Sequence, residues 1–179
     1  LYLAVLITAT IFAAATGIVG SSVTLLGVMA APAMKRSGYD IRLSAGVITA
    51  GGTLGILIPP SVMLIVMGPV VGVPATDLFA AAVFPGLVLS GLYIVYALVR
   101  SYLNPALGPA LPVEERAASF GIVVKELLLG IAPIVVVILA TLGVILAGIA
   151  TPTDAGAVGA FAVLVLTLAY RKMSWQGFQ

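Results

Sequence analysis

The sequence contains no cysteine and no histidine. The first absence excludes disulfides and thiolate metal sites and leaves no redox compartment to infer. The second removes imidazole ligands and any nucleophile that works through a histidine base. Charge is almost as scarce, at 8% of 179 residues, against about 25% in a soluble domain. Eight Lys and Arg against six Asp and Glu give a net charge of +2, but the cations are spread along the chain and build no basic face. Nucleic acid is thereby excluded as a partner. What remains is 62% hydrophobic, with a mean hydropathy of +1.28. This is the composition of an all-α integral membrane protein whose solvent is the lipid bilayer. At roughly 20 residues per crossing the chain holds about five or six membrane elements. The opening run, "LYLAVLITATIFAAATG", has no initiator Met and no basic leader, and the whole reads as a fragment of a longer protein rather than as a chain with a signal peptide.

The few charges act as punctuation. Residues 1–34 carry none, then "MKRSGYDIR" brings Lys35, Arg36, Asp40 and Arg42; 43–76 and 78–99 are again uncharged, separated by Asp77 and closed by Arg100. The sequence therefore predicts a re-entrant helical hairpin over 1–37, a broken transmembrane helix over 41–73 and a transmembrane helix over 77–100. A Pro-rich linker follows over 101–125, then two transmembrane helices over 126–170 and an interfacial tail over 171–179. With these crossings all eight cations fall on one side, which the excess of Lys and Arg in cytoplasmic loops makes cytoplasmic. Asp77 and Asp154 fall on the other side, the linker becomes cytoplasmic, and Tyr170 and Trp175 suit the headgroup region. For 1–34 the pattern fits equally a straight helix followed by an interfacial one.

Two stretches break the helical pattern. "TGIVGSS" interrupts the first uncharged run at residues 16–22, and "GGTLGILIPPS" interrupts the second at 51–61. Pro59 and Pro60 have no backbone N–H, and Pro60 pushes Pro59 out of helical geometry, so helix should stop around Ile58. Unwound backbone at membrane depth is tolerated only where protein buries it or where it lines a polar cavity. Freed carbonyls and the hydroxyls of Thr53 and Ser61, with no formal charge, suit a hard monovalent cation such as sodium. The helix that restarts near Ser61 offers unpaired N–H groups and a positive dipole end to an anion. Two broken elements meeting at mid-membrane are how secondary transporters build coupled sites. A proline kink that only helps helices pack is the plainer alternative.

Other signals are weaker. In "TPTDAG", Thr151 or Thr153 can cap the following helix, with Pro152 at its start and Asp154 favouring the dipole. "VFPGLVLSGLY" reads as a packing kink at Pro85, and "LGVILAGIA" as glycines at helix-packing spacing. Lys125 and Glu126 read as solvated charges at a helix start.

"GSSVTLLGVMAAPAMKRSGYD", "TAGGTLGILIPPS", "AAVFPGLVLSGLYIVYALVRSYLNP" and "GIATPTDAGAVGAFAVLVLTLAYRKMSW" together resemble the large membrane subunit, DctM-like, of tripartite ATP-independent periplasmic (TRAP) transporters. The resemblance covers nearly the whole chain, and its "GTLG-x-x-IPPS" block is highly specific. It implies sodium-driven uptake of organic acids such as C4-dicarboxylates or sialic acid across a bacterial or archaeal inner membrane. It also implies a small membrane subunit, a periplasmic substrate-binding protein and an elevator motion of two inverted halves, with no cofactor beyond the coupling Na+. In those terms 1–37 is the first hairpin, 41–73 its broken helix, and 126–170 opens the second half, whose own sodium site would lie on segments this sequence lacks. Carried over residue by residue, the sodium oxygens would surround Thr16, Gly55, Ile58 and Pro60, with Ser21, Ser22, Thr53 and Ser61 near the substrate. The family often has Ser where this chain has Thr16, which keeps a hydroxyl. It commonly reads "SGS" where this chain reads "VGS", so Val19 offers no side-chain oxygen and Ser21 and Ser22 remain as nearby donors.

Three competing functions frame the structure. A passive channel would want a polar stripe along whole helices, and the sequence shows local breaks instead. A membrane scaffold that only binds a partner subunit would use the double proline for packing alone. An intramembrane enzyme is disfavoured, since there is no histidine and neither Ser21 nor Ser22 has a Lys or Asp nearby in sequence.

Overall fold

The fold is described from a computed structural model of the chain, which covers residues 1–109 and 120–169. The tail over 171–179, the middle of the 101–125 linker, and with them Arg116, Tyr170, Arg171, Lys172 and Trp175, lie outside the described residues. Every regular element among the described residues is helical: α1 (Tyr2–Thr16), α2 (Val19–Arg36), α3 (Ile41–Leu57), α4 (Val62–Val71), α5 (Ala75–Leu103), a 3-10 turn at Pro105–Leu107, α6 (Phe120–Leu146) and α7 (Pro152–Ala169). Two of these, within α5 and α6, are long and apolar enough to cross a bilayer, and α3 with α4 makes a third if the bent pair is one span. The chain is an all-α membrane protein. It divides into two compact units, Leu1–Arg116 and Ala117–Gln179.

In the first unit α1 ends because Gly17 takes a left-handed conformation, φ 60°, and its N–H donates to the Ala13 carbonyl. Such a residue stops a helix cheaply only when it is glycine. Two residues later α2 begins and runs back along α1, so that Ala4, Val5, Thr8 and Phe12 face Leu25, Leu26, Met29 and Ala30. At 1.5 Å per residue, α1 rises about 22 Å, short of the roughly 30 Å hydrocarbon core.

α3 packs against both arms, and small residues set how closely. A Cβ on Gly51 would lie 2.7 Å from the Ala9 Cβ, and one on Gly52 would collide with Val23. Leu6, Ala9, Leu26, Val47, Ile48 and Ala97 bury themselves in the core that this closeness creates. At the end away from the hairpin tip, Tyr2 stacks edge-on against Tyr39 with ring centroids 4.8 Å apart. The Tyr2 hydroxyl donates to the Leu107 carbonyl at 2.6 Å, and the Asp40 N–H donates to the same oxygen at 3.1 Å. Asp40 also caps α3 by accepting from the Leu43 N–H at 2.7 Å. Lys35, Arg36, Arg42 and Arg100 consequently gather at this one end, here called the base.

The second unit is the pair α6 and α7. α7 starts with a reciprocal cap: the Thr151 hydroxyl donates to the Asp154 carboxylate at 2.6 Å, and the Asp154 N–H donates back to the Thr151 hydroxyl at 3.2 Å. Pro152 stands at the first helical position, where a missing N–H costs nothing. α6 begins seven residues before the apolar run that starts at 127, so Lys125 and Glu126 are already helical. The expectation that "LGVILAGIA" packs a neighbour through its glycines is corrected. Gly143 faces open space, and Gly148, at φ 68°, sits beyond the end of α6. The close approach comes from the other helix, where a Cβ on Gly159 would lie 2.8 Å from the Thr141 methyl.

Replacing Asp154 by Ala removes one side of the cap and should destabilise α7 by about 1 kcal/mol. Thermal unfolding of the full-length protein in detergent should show a lower midpoint for Asp154→Ala and a smaller loss for Asp154→Asn, which keeps an acceptor.

Candidate functional site

The two sequence breaks meet in space. α3 stops at Leu57, the Ile58 N–H still reaching the Leu54 carbonyl at 2.8 Å, and α4 restarts at Val62 with its axis turned by 46°. Against this bend sits the α1–α2 tip. Gly17 lies so close that a Cβ there would come 2.5 Å from the Pro60 carbonyl oxygen, and Gly55 would put one 3.5 Å from the Ile18 backbone. On the far side, α5 reaches the same bend through Gly86, whose Cβ position is 2.8 Å from Ile58 Cγ1. Three glycines from three elements thus converge on one interrupted stretch.

The oxygens there follow from the covalent chemistry. In unbroken helix the Gly55 carbonyl would accept from residue 59 and the Ile56 carbonyl from residue 60. Both positions are proline and neither can donate. Ile56 is rescued by the Ser61 hydroxyl, which donates to it at 2.6 Å from a fully buried side chain. Among the described residues no side-chain donor replaces the one the Gly55 carbonyl loses, and the Ile58 and Pro60 carbonyls lie in the irregular link. Pro59 and Pro60 are joined by a cis peptide bond.

At the tip, the Thr16 and Ser22 hydroxyls lie 2.6 Å apart, and each is also 3.0 Å from a carbonyl of its own preceding turn, Phe12 and Ile18 respectively. Two hydroxyl protons serve three contacts, so one pairing is always unfilled. Lone pairs remain available for a cation. No His, Cys, Asp or Glu cluster of metal-ligating size exists among the described residues. Neutral oxygens are what this place offers, which suits a weakly held monovalent ion better than a divalent or transition metal.

Of the eight residues expected from sequence, the structure brings Thr16, Ser22, Gly55, Ile58, Pro60 and Ser61 to this junction. Ser21 is exposed and its hydroxyl donates to the Ile18 carbonyl at 3.1 Å. The Thr53 hydroxyl bonds back to the Ala50 carbonyl at 2.7 Å within α3. Ser61 sits with its hydroxyl turned inward to seal the break rather than outward. Sequence reasoning did not list Gly17, Ile18 or Gly86 as contributors. The signal for Gly17 was present, a glycine immediately after an apolar helix, but its partner Pro60 lies more than forty residues away and no local pattern pairs them.

The family model of the tripartite ATP-independent periplasmic transporter, DctM component, matches residues 1–178. The chain belongs to the DctM family. It is 35% identical over 97% of its length to the C4-dicarboxylate TRAP transporter large permease protein of Pseudomonas aeruginosa, covering 39% of that protein. To the 2,3-diketo-L-gulonate TRAP transporter large permease protein of Escherichia coli K12 it is 31% identical, over 93% of the chain and 38% of the relative. To the ectoine TRAP transporter large permease protein of Halomonas elongata it is 28% identical, over 92% and 37%. The chain thus spans about two fifths of the length of these curated relatives. No solved structure matches it.

The glycine contacts make opposite forecasts for two similar changes in this DctM-family chain. Gly17→Ala places a Cβ on the Pro60 oxygen and in a left-handed conformation, and should cost roughly 1–3 kcal/mol. Gly55→Ala meets only ordinary contact distances and should leave the unfolding midpoint of the full-length protein nearly unchanged. A larger loss for Gly55→Ala than for Gly17→Ala would mean that the tip does not dock as described.

Proposed function

We propose that this chain forms the first hairpin and broken helix, and the opening of the second half, of a sodium-coupled permease that takes up organic acids. It would work as the large membrane subunit of a binding-protein-dependent TRAP system in a bacterial inner membrane. The observation that carries the reading is the junction of the α1–α2 tip with the Pro59–Pro60 break. Sodium would be held by carbonyl and hydroxyl oxygens around Thr16, Gly55, Ile58 and Pro60. In this reading the hairpin enters and leaves the bilayer on the cytoplasmic side, its short arms consistent with a turn at depth, and the junction travels with an elevator motion. A small membrane subunit and a periplasmic binding protein would complete the system. Membership in a family of permeases supports transport over catalysis.

The substrate class rests on the relatives. Two of those described above are named for acids, a C4-dicarboxylate and a diketogulonate, and one for ectoine. An organic acid is the reading favoured here. The exposed α2 start, with Ser21, and the region of Thr53 would lie near it.

The test is uptake of labelled C4-dicarboxylate, sialic acid and ectoine, each added in turn, by the full-length system in proteoliposomes, with and without an inward sodium gradient. Uptake of an acid should collapse without sodium, and equal rates would exclude coupling. Thr16→Ser keeps the hydroxyl and should keep the sodium dependence. Thr16→Val removes an oxygen and should raise the half-saturating sodium concentration about tenfold, the equivalent of roughly 1.4 kcal/mol.

A further inference from the structure

The base of the first unit holds a second feature, separate from the junction. A cleft of about 920 Å³ runs between α3 and α5, with Leu6 of α1 at its back. Its walls are Leu43, Gly46, Val47, Ala50, Leu89 and Leu92 with the rings of Tyr93 and Tyr96, and its mouth carries Arg42, Arg100 and Asp40. The lining is therefore apolar along its length and charged at one end only.

The charged end has an excess of positive charge. Asp40 is occupied as the α3 cap, where it accepts from the Leu43 N–H. Among the described residues neither the Arg42 nor the Arg100 guanidinium has an ion-pair or hydrogen-bond partner. Among the described residues, two exposed guanidiniums against one engaged carboxylate give the mouth a net positive charge, on the same end of the unit as Lys35 and Arg36. Guanidinium forks match phosphate geometry, and basic pockets between transmembrane helices at this level take phospholipid headgroups.

We propose that this cleft binds an anionic phospholipid, its phosphate between Arg42 and Arg100 and one acyl chain lying along Leu43, Gly46, Val47, Ala50, Leu89 and Leu92. The occupant is an amphiphile because the lining changes character once, from charged to apolar, as a lipid does from headgroup to tail. Gly46 is what opens the groove for the tail. A Cβ there meets nothing within 4 Å, so a larger side chain enters the cleft without disturbing the helix packing. Tyr96, one helical turn before Arg100 on α5, is the ring nearest the mouth, where an amphipathic ring favours the headgroup level.

Native mass spectrometry of the full-length permease, titrated in detergent with phosphatidylglycerol or phosphatidylcholine, tests this. The wild type should retain phosphatidylglycerol in preference. Arg42→Gln with Arg100→Gln should weaken that lipid by about fivefold for each arginine removed and abolish the preference. Gly46→Leu should displace the tail and lower retention while leaving both arginines and the fold in place. If both variants retain phosphatidylglycerol as the wild type does, another segment of the longer protein fills the cleft and the proposal fails. It also fails if the wild type holds both lipids equally. Because the variants lie at the base, sodium-driven uptake reports separately on the junction.

Discussion

Everything in the first unit depends on one constraint: backbone carbonyls freed by Pro59 and Pro60 must be satisfied in a medium that offers no water. Each unsatisfied group in hydrocarbon costs several kcal/mol, so the break survives only because other elements come to it. Ser61 turns inward to donate to Ile56, the hairpin tip covers Pro60 through Gly17, and α5 covers Ile58 through Gly86. Leaving the Gly55 carbonyl without its helical donor is then a local exception inside a well-packed surround. An exception of that kind is how a neutral cation site can exist without unravelling the helix that holds it.

The same constraint explains why glycine is placed as it is on α3. Gly51, Gly52 and Gly55 occupy one face of the helix, since residues three and four apart are neighbours on its surface, and each meets a different part of the hairpin: Ala9 on α1, Val23 on α2 and Ile18 at the tip. Closeness along the whole face fixes the tip against the break. Thr10 and Ser90, whose hydroxyls lie 2.5 Å apart between α1 and α5, add a polar tie midway. The aromatic and carbonyl contacts around Tyr2, Tyr39 and Leu107 close the base. The hairpin is thus anchored at its base, its middle and its tip.

Much of this was legible in the sequence because it is local. A double proline ends a helix wherever it stands, a Thr-Pro-x-Asp run announces a cap, and α3 does stop at Leu57 and α7 does start behind Thr151. What was not legible is pairing between distant elements. "LGVILAGIA" has glycines at packing spacing, yet it is Gly159 on the facing helix that makes the approach, because spacing within a helix says nothing about which way the face points. Ser61 was readable as a hydroxyl near a break, but whether it faces outward or seals the Ile56 carbonyl depends on the 46° turn of α4. The cleft at the base left no signal at all, since Arg42 and Arg100 are fifty-eight residues apart and come to line one cleft only through the packing of α3 on α5.

The charge distribution bears on how coupling would work under the proposed function. Among the described residues of the first unit the only acids are Asp40 and Asp77. Asp40 caps α3 at the base, and Asp77 stands nine residues before Gly86 on α5, about 13 Å along the helix. A sodium ion at the junction would therefore bring a charge that no carboxylate among these described residues cancels. An anion about 6 Å away would interact with it by roughly 3 kcal/mol at an effective dielectric of about 20. That is a coupling of about a hundredfold, and by linkage it is reciprocal: the ion favours the acid as much as the acid favours the ion. A carboxylate placed at the junction would have supplied the countercharge permanently and weakened this dependence. The neutrality of the oxygens around Thr16, Gly55 and Pro60 is thus the feature that would tie an ion to an organic acid, rather than let either be carried alone.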